Sequence, residues 1–173
     1  GNAIDFGDLL TSIQATDGCS DLTRGVFGGG EDSPTSINTI QFFTIPTQSN
    51  ATDFGDLTQA RRNLTSASSP TRGLFLGGDF QASTYYDIID FITIQSTGNA
   101  TDFGNLSAAR AELGAVASTI RACVGGGYVS PSTPNSDIIE YVTMASTGNM
   151  TDFGNLTVAR RQIKGCSNGH GGL

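Results

Sequence analysis

The chain has 173 residues, nine basic against sixteen acidic side chains and a formal net charge of −7, so it offers no cationic footprint for nucleic acid or for an anionic membrane surface. No apolar run approaches the roughly 20 residues that a membrane-crossing helix needs, and no basic-then-apolar leader stands at the start. A hydrophobic share of 37%, 23 glycines and no tryptophan suit many short strands and tight turns, so an all-β fold is expected.

The first element met is Asn2-Ala-Ile-Asp-Phe-Gly-Asp-Leu9, which returns as residues 50–57, 99–106 and 149–156. Its aspartates, Asp5, Asp53, Asp102 and Asp152, lie 48, 49 and 50 residues apart. That spacing marks a single repeat domain over residues 1–173 with partial repeats at both ends. An opening at Gly1 fits either a processed chain or a window on a longer array. Asp-Phe-Gly is also the metal-binding loop of protein kinases, but that chemistry needs a strand lysine, a catalytic-loop aspartate and a glycine-rich phosphate loop. Here Lys164 is the only lysine and His170 the only histidine, and one catalytic centre has no use for four copies of a triplet.

The second repeat shows the expected order of elements. Residues 64–68 read as a short strand of small side chains, and Ser69-Pro70 as a turn. Residues 72–78 read as a second strand closed by a glycine doublet, Gly77-Gly78, which recurs as Gly29-Gly30 and Gly126-Gly127. Residues 79–88 form a loop, and it and its counterparts at 31–39 and 128–138 hold all the length variation between repeats. Residues 89–94 are a third strand with a polar residue between Ile89 and Phe91, as in Ile40-Gln41-Phe42 and Ile139-Glu140-Tyr141. Ser96-Thr-Gly-Asn99 then turns the chain into an outer strand, residues 100–106, whose Phe103 can cover the sheet. Residues 106–113, with Ala108, Ala109, Arg110 and Glu112, have helix-forming composition, as do 57–64 and 156–163, which suits a single helical turn between repeats.

Four antiparallel strands per period are the make-up of a propeller blade. In its glycine doublet after an apolar strand, its Ile-x-aromatic strand, its Thr-Asp-Phe segment and its Leu-x-x-Ala-Arg, the chain resembles the kelch repeat family, without that family's Trp. Its Ser-Thr-Gly-Asn-Ala-Thr-Asp-Phe-Gly-Asn-Leu and Thr-Arg-Gly-x-Phe-x-Gly-Gly segments resemble repeat proteins of aquatic bacteriophages, of tail-fibre or virion-surface type. The resemblance implies kelch-like blades and a non-enzymatic structural or adhesive module, extracellular or on a virion surface. It carries no catalytic residue with it. The partners expected are further repeats or other copies of the same protein and a cell-surface glycan or protein. The alternatives are a carbohydrate-active propeller enzyme and a subunit of a secreted glycosylated filament.

Asp53, Asp102 and Asp152 stand once per repeat, with Arg61, Arg110 and Arg160 eight residues on and Arg24, Arg72 and Arg121 at the nineteen-residue offset from an Asp. Such spacing points to structural ion pairs, a carboxylate held by a guanidinium fork, with Arg72 and Arg121 among the staples. Ile13 and Gly171 replace arginines in the end repeats. Cys19 and Cys166 fall where Ala67 and Val116 stand in the inner repeats, and Cys123 falls in a strand; all three are expected to be free thiols, the first two buried. No Cys-x-x-Cys or Cys/His cluster suggests a metal, and no motif calls for a cofactor. His170 reads as a loop histidine, and Glu31, Asp32, Asp90 and Glu140 are the acids available to a glycosidase reading. Asn50, Asn63, Asn99, Asn105, Asn149 and Asn155 stand in Asn-x-Ser/Thr and are candidate glycosylation sites or simply turn residues. Phe80, Tyr85, Tyr86 and Tyr128, in the variable loops, are the candidate ligand-contacting residues, because aromatic faces suit the apolar faces of sugars. The partial repeats at the two ends are expected to pair with each other, with another copy or with further repeats.

Overall fold

The computed structural model describes residues 1–129 and 134–167, and among them the chain is all-β with no helix. His170, Gly171 and the last two residues, together with part of the third variable loop, lie outside the described residues. Strands β1 (Asp17–Ser20) and β2 (Arg24–Gly28) are followed by a small hairpin of β3 (Glu31–Asp32) and β4 (Thr35–Ser36), then by β5 (Thr39–Thr44) and β6 (Thr52–Asp56). The second repeat follows with β7 (Thr65–Ser68), β8 (Arg72–Leu76), the hairpin β9 (Asp79–Phe80) and β10 (Thr84–Tyr85), β11 (Ile88–Thr93) and β12 (Thr101–Asn105). The third contributes β13 (Gly114–Ala117), β14 (Arg121–Gly125), β15 (Ile138–Thr143) and β16 (Thr151–Asn155). Each repeat makes one antiparallel four-stranded sheet, in the orders β1-β2-β5-β6, β7-β8-β11-β12 and β13-β14-β15-β16. The strands expected at 64–68, 72–78, 89–94 and 100–106 are therefore present, three of them shortened by a residue or two and the one at 89–94 shifted by one to Ile88–Thr93.

The sheets stand side by side, and β1 meets β7 through polar links. Ser66 N donates to Asp17 Oδ2 at 2.9 Å, Ser66 Oγ to the Gly18 carbonyl at 2.7 Å and Ser68 Oγ to the Ser20 carbonyl at 2.9 Å. Apolar side chains fill the space behind. Val26, Ile40, Phe54 and Leu57 of the first repeat pack with Phe75, Ile92 and Ile94 of the second. Leu74, Ile89, Phe103 and Leu106 pack with Val124, Val142 and Met144 of the third. The middle sheet is thus covered on both faces, which is why the consecutive residues Ile89 and Asp90 are both fully buried. A register shift between Ile89 and Asp90 recurs at Ile40/Gln41 and Ile139/Glu140, so the third strand carries a bulge at the same place in every repeat.

The outer strands β6 and β12 are not left as bare edges. Gly98 N donates to the Phe54 carbonyl at 2.7 Å, Ala100 N to the Asp56 carbonyl at 2.8 Å, and the Asn99 side-chain oxygen accepts from Asp56 N at 3.1 Å. The turn of one repeat thereby pairs with the outer strand of the repeat before it, which removes a surface prone to unwanted strand pairing. Gly55 is required at this contact: its φ is +141°, and a Cβ there would lie 2.4 Å from the Gly98 carbonyl oxygen.

The helical turn suggested by composition at 106–113, and its counterparts at 57–64 and 156–163, do not form. Arg110 N donates to the Tyr86 carbonyl at 3.1 Å and its own carbonyl accepts from Gly78 N at 2.8 Å, so backbone groups that a helix would use internally are spent on the neighbouring loop. Asn63, Glu112 and Gln162 also have φ of +53°, +58° and +54°, outside the helical region. Tertiary hydrogen bonding overrides an intrinsic preference worth only a few tenths of a kcal/mol per residue.

Candidate functional site

Two sets of polar residues could carry function: the arginines inserted between sheets and the cleft beside the variable loops. Arg61 and Arg110 are each fully buried. Arg61 donates through Nε to the Gly77 carbonyl at 2.9 Å, through Nη2 to the Phe75 carbonyl at 3.2 Å and through Nη1 to Asp90 Oδ2 at 2.9 Å. Arg110 donates to the Gly126 carbonyl at 2.9 Å and pairs with Glu140. Burial pulls the Arg61 guanidinium below its ordinary range, opposed by Asp90, and pulls Arg110 down to about 10. A guanidinium keeps its proton in proteins, so both enter as buried charges.

This arrangement corrects the expected pairing. Asp53, Asp102 and Asp152 are exposed, and among the described residues their carboxylates make no ion pair or hydrogen bond. The acids that receive Arg61 and Arg110 are Asp90 and Glu140, the middle residues of the third strand. They sit opposite Asp102 and Asp152 in the ladder, but at the bulge, so their side chains turn inward. Arg72 stacks over Phe91, 4.9 Å from the ring centre, and donates to the Met144 carbonyl of the next sheet at 2.9 Å, as Arg24 does to the Ile94 carbonyl at 3.0 Å. Arg121 lies 4.2 Å over Tyr141. These side chains join to rings and carbonyls, where a carboxylate partner was expected.

The cleft lies where the second and third variable loops approach each other, and encloses about 380 Å³. The Tyr85 and Tyr128 rings meet there at 5.3 Å between centroids, tilted by 47°. Asp79, nearly fully buried, accepts from Asn63 Nδ2 at 2.7 Å, Arg62 Nε at 3.2 Å and Ala82 N at 2.6 Å, and Arg62 also pairs with Glu31. Across the cleft, Arg161 lies 4.8 Å over Tyr128 and 3.5 Å from Glu112 Oε2, a buried oxygen with no hydrogen-bond partner among the described residues. Burial, and then the neighbouring Tyr128, raise the Tyr85 hydroxyl above its ordinary pKa, so it stays a neutral donor. The cleft therefore offers aromatic surface beside both donors and acceptors, at the lower end of the size range of small-ligand sites.

Of the four aromatic residues singled out from sequence, Tyr85 and Tyr128 line the cleft, whereas Phe80 and Tyr86 do not. Tyr86 serves the scaffold through its backbone, which donates to the Gly78 carbonyl and accepts from Arg110 N. Sequence reasoning missed Arg62, Asp79, Glu112 and Arg161. The signal for Arg62 was the doublet Arg61-Arg62, since the residue after an inward guanidinium faces outward; Arg160-Arg161 repeats that doublet in the last loop.

The six sequons differ in their surroundings. The side-chain oxygens of Asn50, Asn99 and Asn149 accept backbone N–H groups from Asp8, Asp56 and Asn105 at 3.0, 3.1 and 3.0 Å. Asn63 spends its amide nitrogen on Asp79 inside the cleft, while Asn105 is half-buried and Asn155 exposed, both in outer strands. Cys19 is buried and its thiol is pushed up to about 12 by burial and by Asp17, but Cys166 is exposed, against expectation. Comparison with known proteins returns no matching family model and no matching curated sequence.

Proposed function

We propose that this chain is a non-enzymatic structural or adhesive repeat module, its three sheets serving as kelch-like propeller blades in a virion fibre or another extracellular surface assembly. In this reading it contacts a cell-surface glycan or protein through its variable loops, and further repeats or other copies extend the array. The observation that carries the reading is the Tyr85–Tyr128 pair set over a cleft lined by the charged and polar side chains of Arg62, Asp79, Glu112 and Arg161. A glycosidase reading loses support from the fate of its acids: Asp90 and Glu140 are fully buried against guanidinium groups, and Glu31 is held by Arg62 and Gln14.

The test is a glycan-array and cell-surface binding assay of the wild type against Tyr85→Ser/Tyr128→Ser. Binding lost with the melting temperature kept within a few degrees supports the module; binding by neither protein, or equal binding by both, refutes it. Phe80→Ser serves as the control, since Phe80 lies outside the cleft.

A further inference from the structure

Each inserted loop presents one residue to the sheet that follows it, and the pairs are matched in charge. The backbone seat is the same at all three junctions. Thr58 N donates to Asp90 Oδ2 at 3.0 Å, Ser107 N to Glu140 Oε2 at 3.0 Å, and Leu10 N to Gln41 Oε1 at 2.8 Å. Three residues beyond each of these donors stand Arg61, Arg110 and Ile13. Where the receiving residue is a carboxylate the loop brings an arginine, and where it is the neutral Gln41, itself 1% exposed, the loop brings an isoleucine.

Arg160 occupies the same position in the last loop. Its backbone is seated as its counterparts are, with Arg160 N donating to the Ser136 carbonyl at 3.1 Å and its carbonyl accepting from Gly127 N at 2.9 Å. Its side chain is exposed, and its Nε donates only to the nearby Val158 carbonyl among the described residues. Around it, Phe153 is 57% exposed where Phe54 and Phe103 are each 2% exposed. A Cβ on Gly154 would meet nothing, where one on Gly55 or Gly104 would collide with the turn of the next repeat.

We propose that the face formed by Phe153, Gly154, Leu156 and Arg160 docks a sheet of this same repeat type that carries a carboxylate in the middle of its third strand, and that it rejects a sheet carrying Gln41 there. A buried guanidinium facing an amide lacks the opposite charge that offsets its desolvation, and a buried carboxylate facing isoleucine suffers the same loss. Matched pairs thus specify which sheet each loop accepts and keep the first sheet from taking the place of another.

One substitution in two contexts tests this. In the single chain, Gln41→Glu sets a carboxylate against Ile13 and should lower Tm by several degrees, and Ile13→Arg added to it should restore the loss. In a tandem that joins residues 1–163 to residues 17–173, the Arg160 loop precedes the first sheet of the second copy. There Gln41→Glu in the second copy should raise Tm. Opposite signs in the two contexts support the proposal, and the same sign in both overturns it. If single-chain Gln41→Glu does not fold, recovery of folding by Ile13→Arg is the supporting result, and failure to recover overturns it.

Discussion

Replacing Asp90 with Ala probes the junction between the first and second repeats. The carboxylate is fully buried and accepts from Thr58 N at 3.0 Å, Thr58 Oγ at 2.7 Å and Arg61 Nη1 at 2.9 Å. Without it, Arg61 keeps only carbonyl partners while remaining fully buried and charged. Removing one member of a buried pair costs about 3 to 5 kcal/mol. At about 2 to 4 °C per kcal/mol for a chain of this size, Tm should fall by roughly 6 to 20 °C. Asp90→Leu/Arg61→Met deletes both charges and should recover most of that loss. Urea denaturation followed by circular dichroism, with calorimetry for Tm, measures all three proteins. Asp102→Ala is the internal control: its exposed carboxylate has no partner among the described residues, so the change should stay within about 0.5 kcal/mol. A mild Asp90→Ala, or an Asp102→Ala that costs as much, would show that the load-carrying acid has been misplaced.

Other outcomes follow from single contacts. Gly104→Ala places a Cβ 2.2 Å from the Gly148 carbonyl oxygen at φ +148°, so it should destabilise by about 1 to 3 kcal/mol, whereas Gly154→Ala, with the same backbone but open space, should cost less in the same melt. With iodoacetamide at pH 8, mass spectrometry should find Cys166 modified first, the half-buried Cys123 more slowly, and Cys19 protected by burial and a pKa near 12; early labelling of Cys19 would contradict its placement. Burial pushes the Asp21 carboxyl up, but hydrogen bonds from Gln95, Arg24 N and Thr23 outweigh it and hold the group below its ordinary 3.8. Its contribution is thus present above that pH and lost as pH falls through the lower folded value, so Asp21→Asn should flatten the acid limb of a Tm-against-pH curve while changing little of its shape above pH 5.

Strand content was readable from residues alone because each strand is a local pattern. Alternating side chains and glycine doublets put β8 and β11 within a residue or two of their places, and the period of the Asp-Phe-Gly segments announced repeated sheets. Arginine partners were not readable in this way. Sequence spacing tied Arg61 to Asp53, eight residues away, but the ion pair joins it to Asp90, twenty-nine residues on in a different sheet. Its direction depends on the bulge at Ile89/Asp90, which turns the acid inward, and a bulge is a property of the paired ladder. Likewise Tyr85 and Tyr128 belong to different repeats, and only the stacking of sheets brings their rings to 5.3 Å. The chain's local chemistry determined where it extends and where it turns; contacts across sheet junctions decided which charges are buried together, because a side chain meets its partner only after the backbone ladders have set their relative positions.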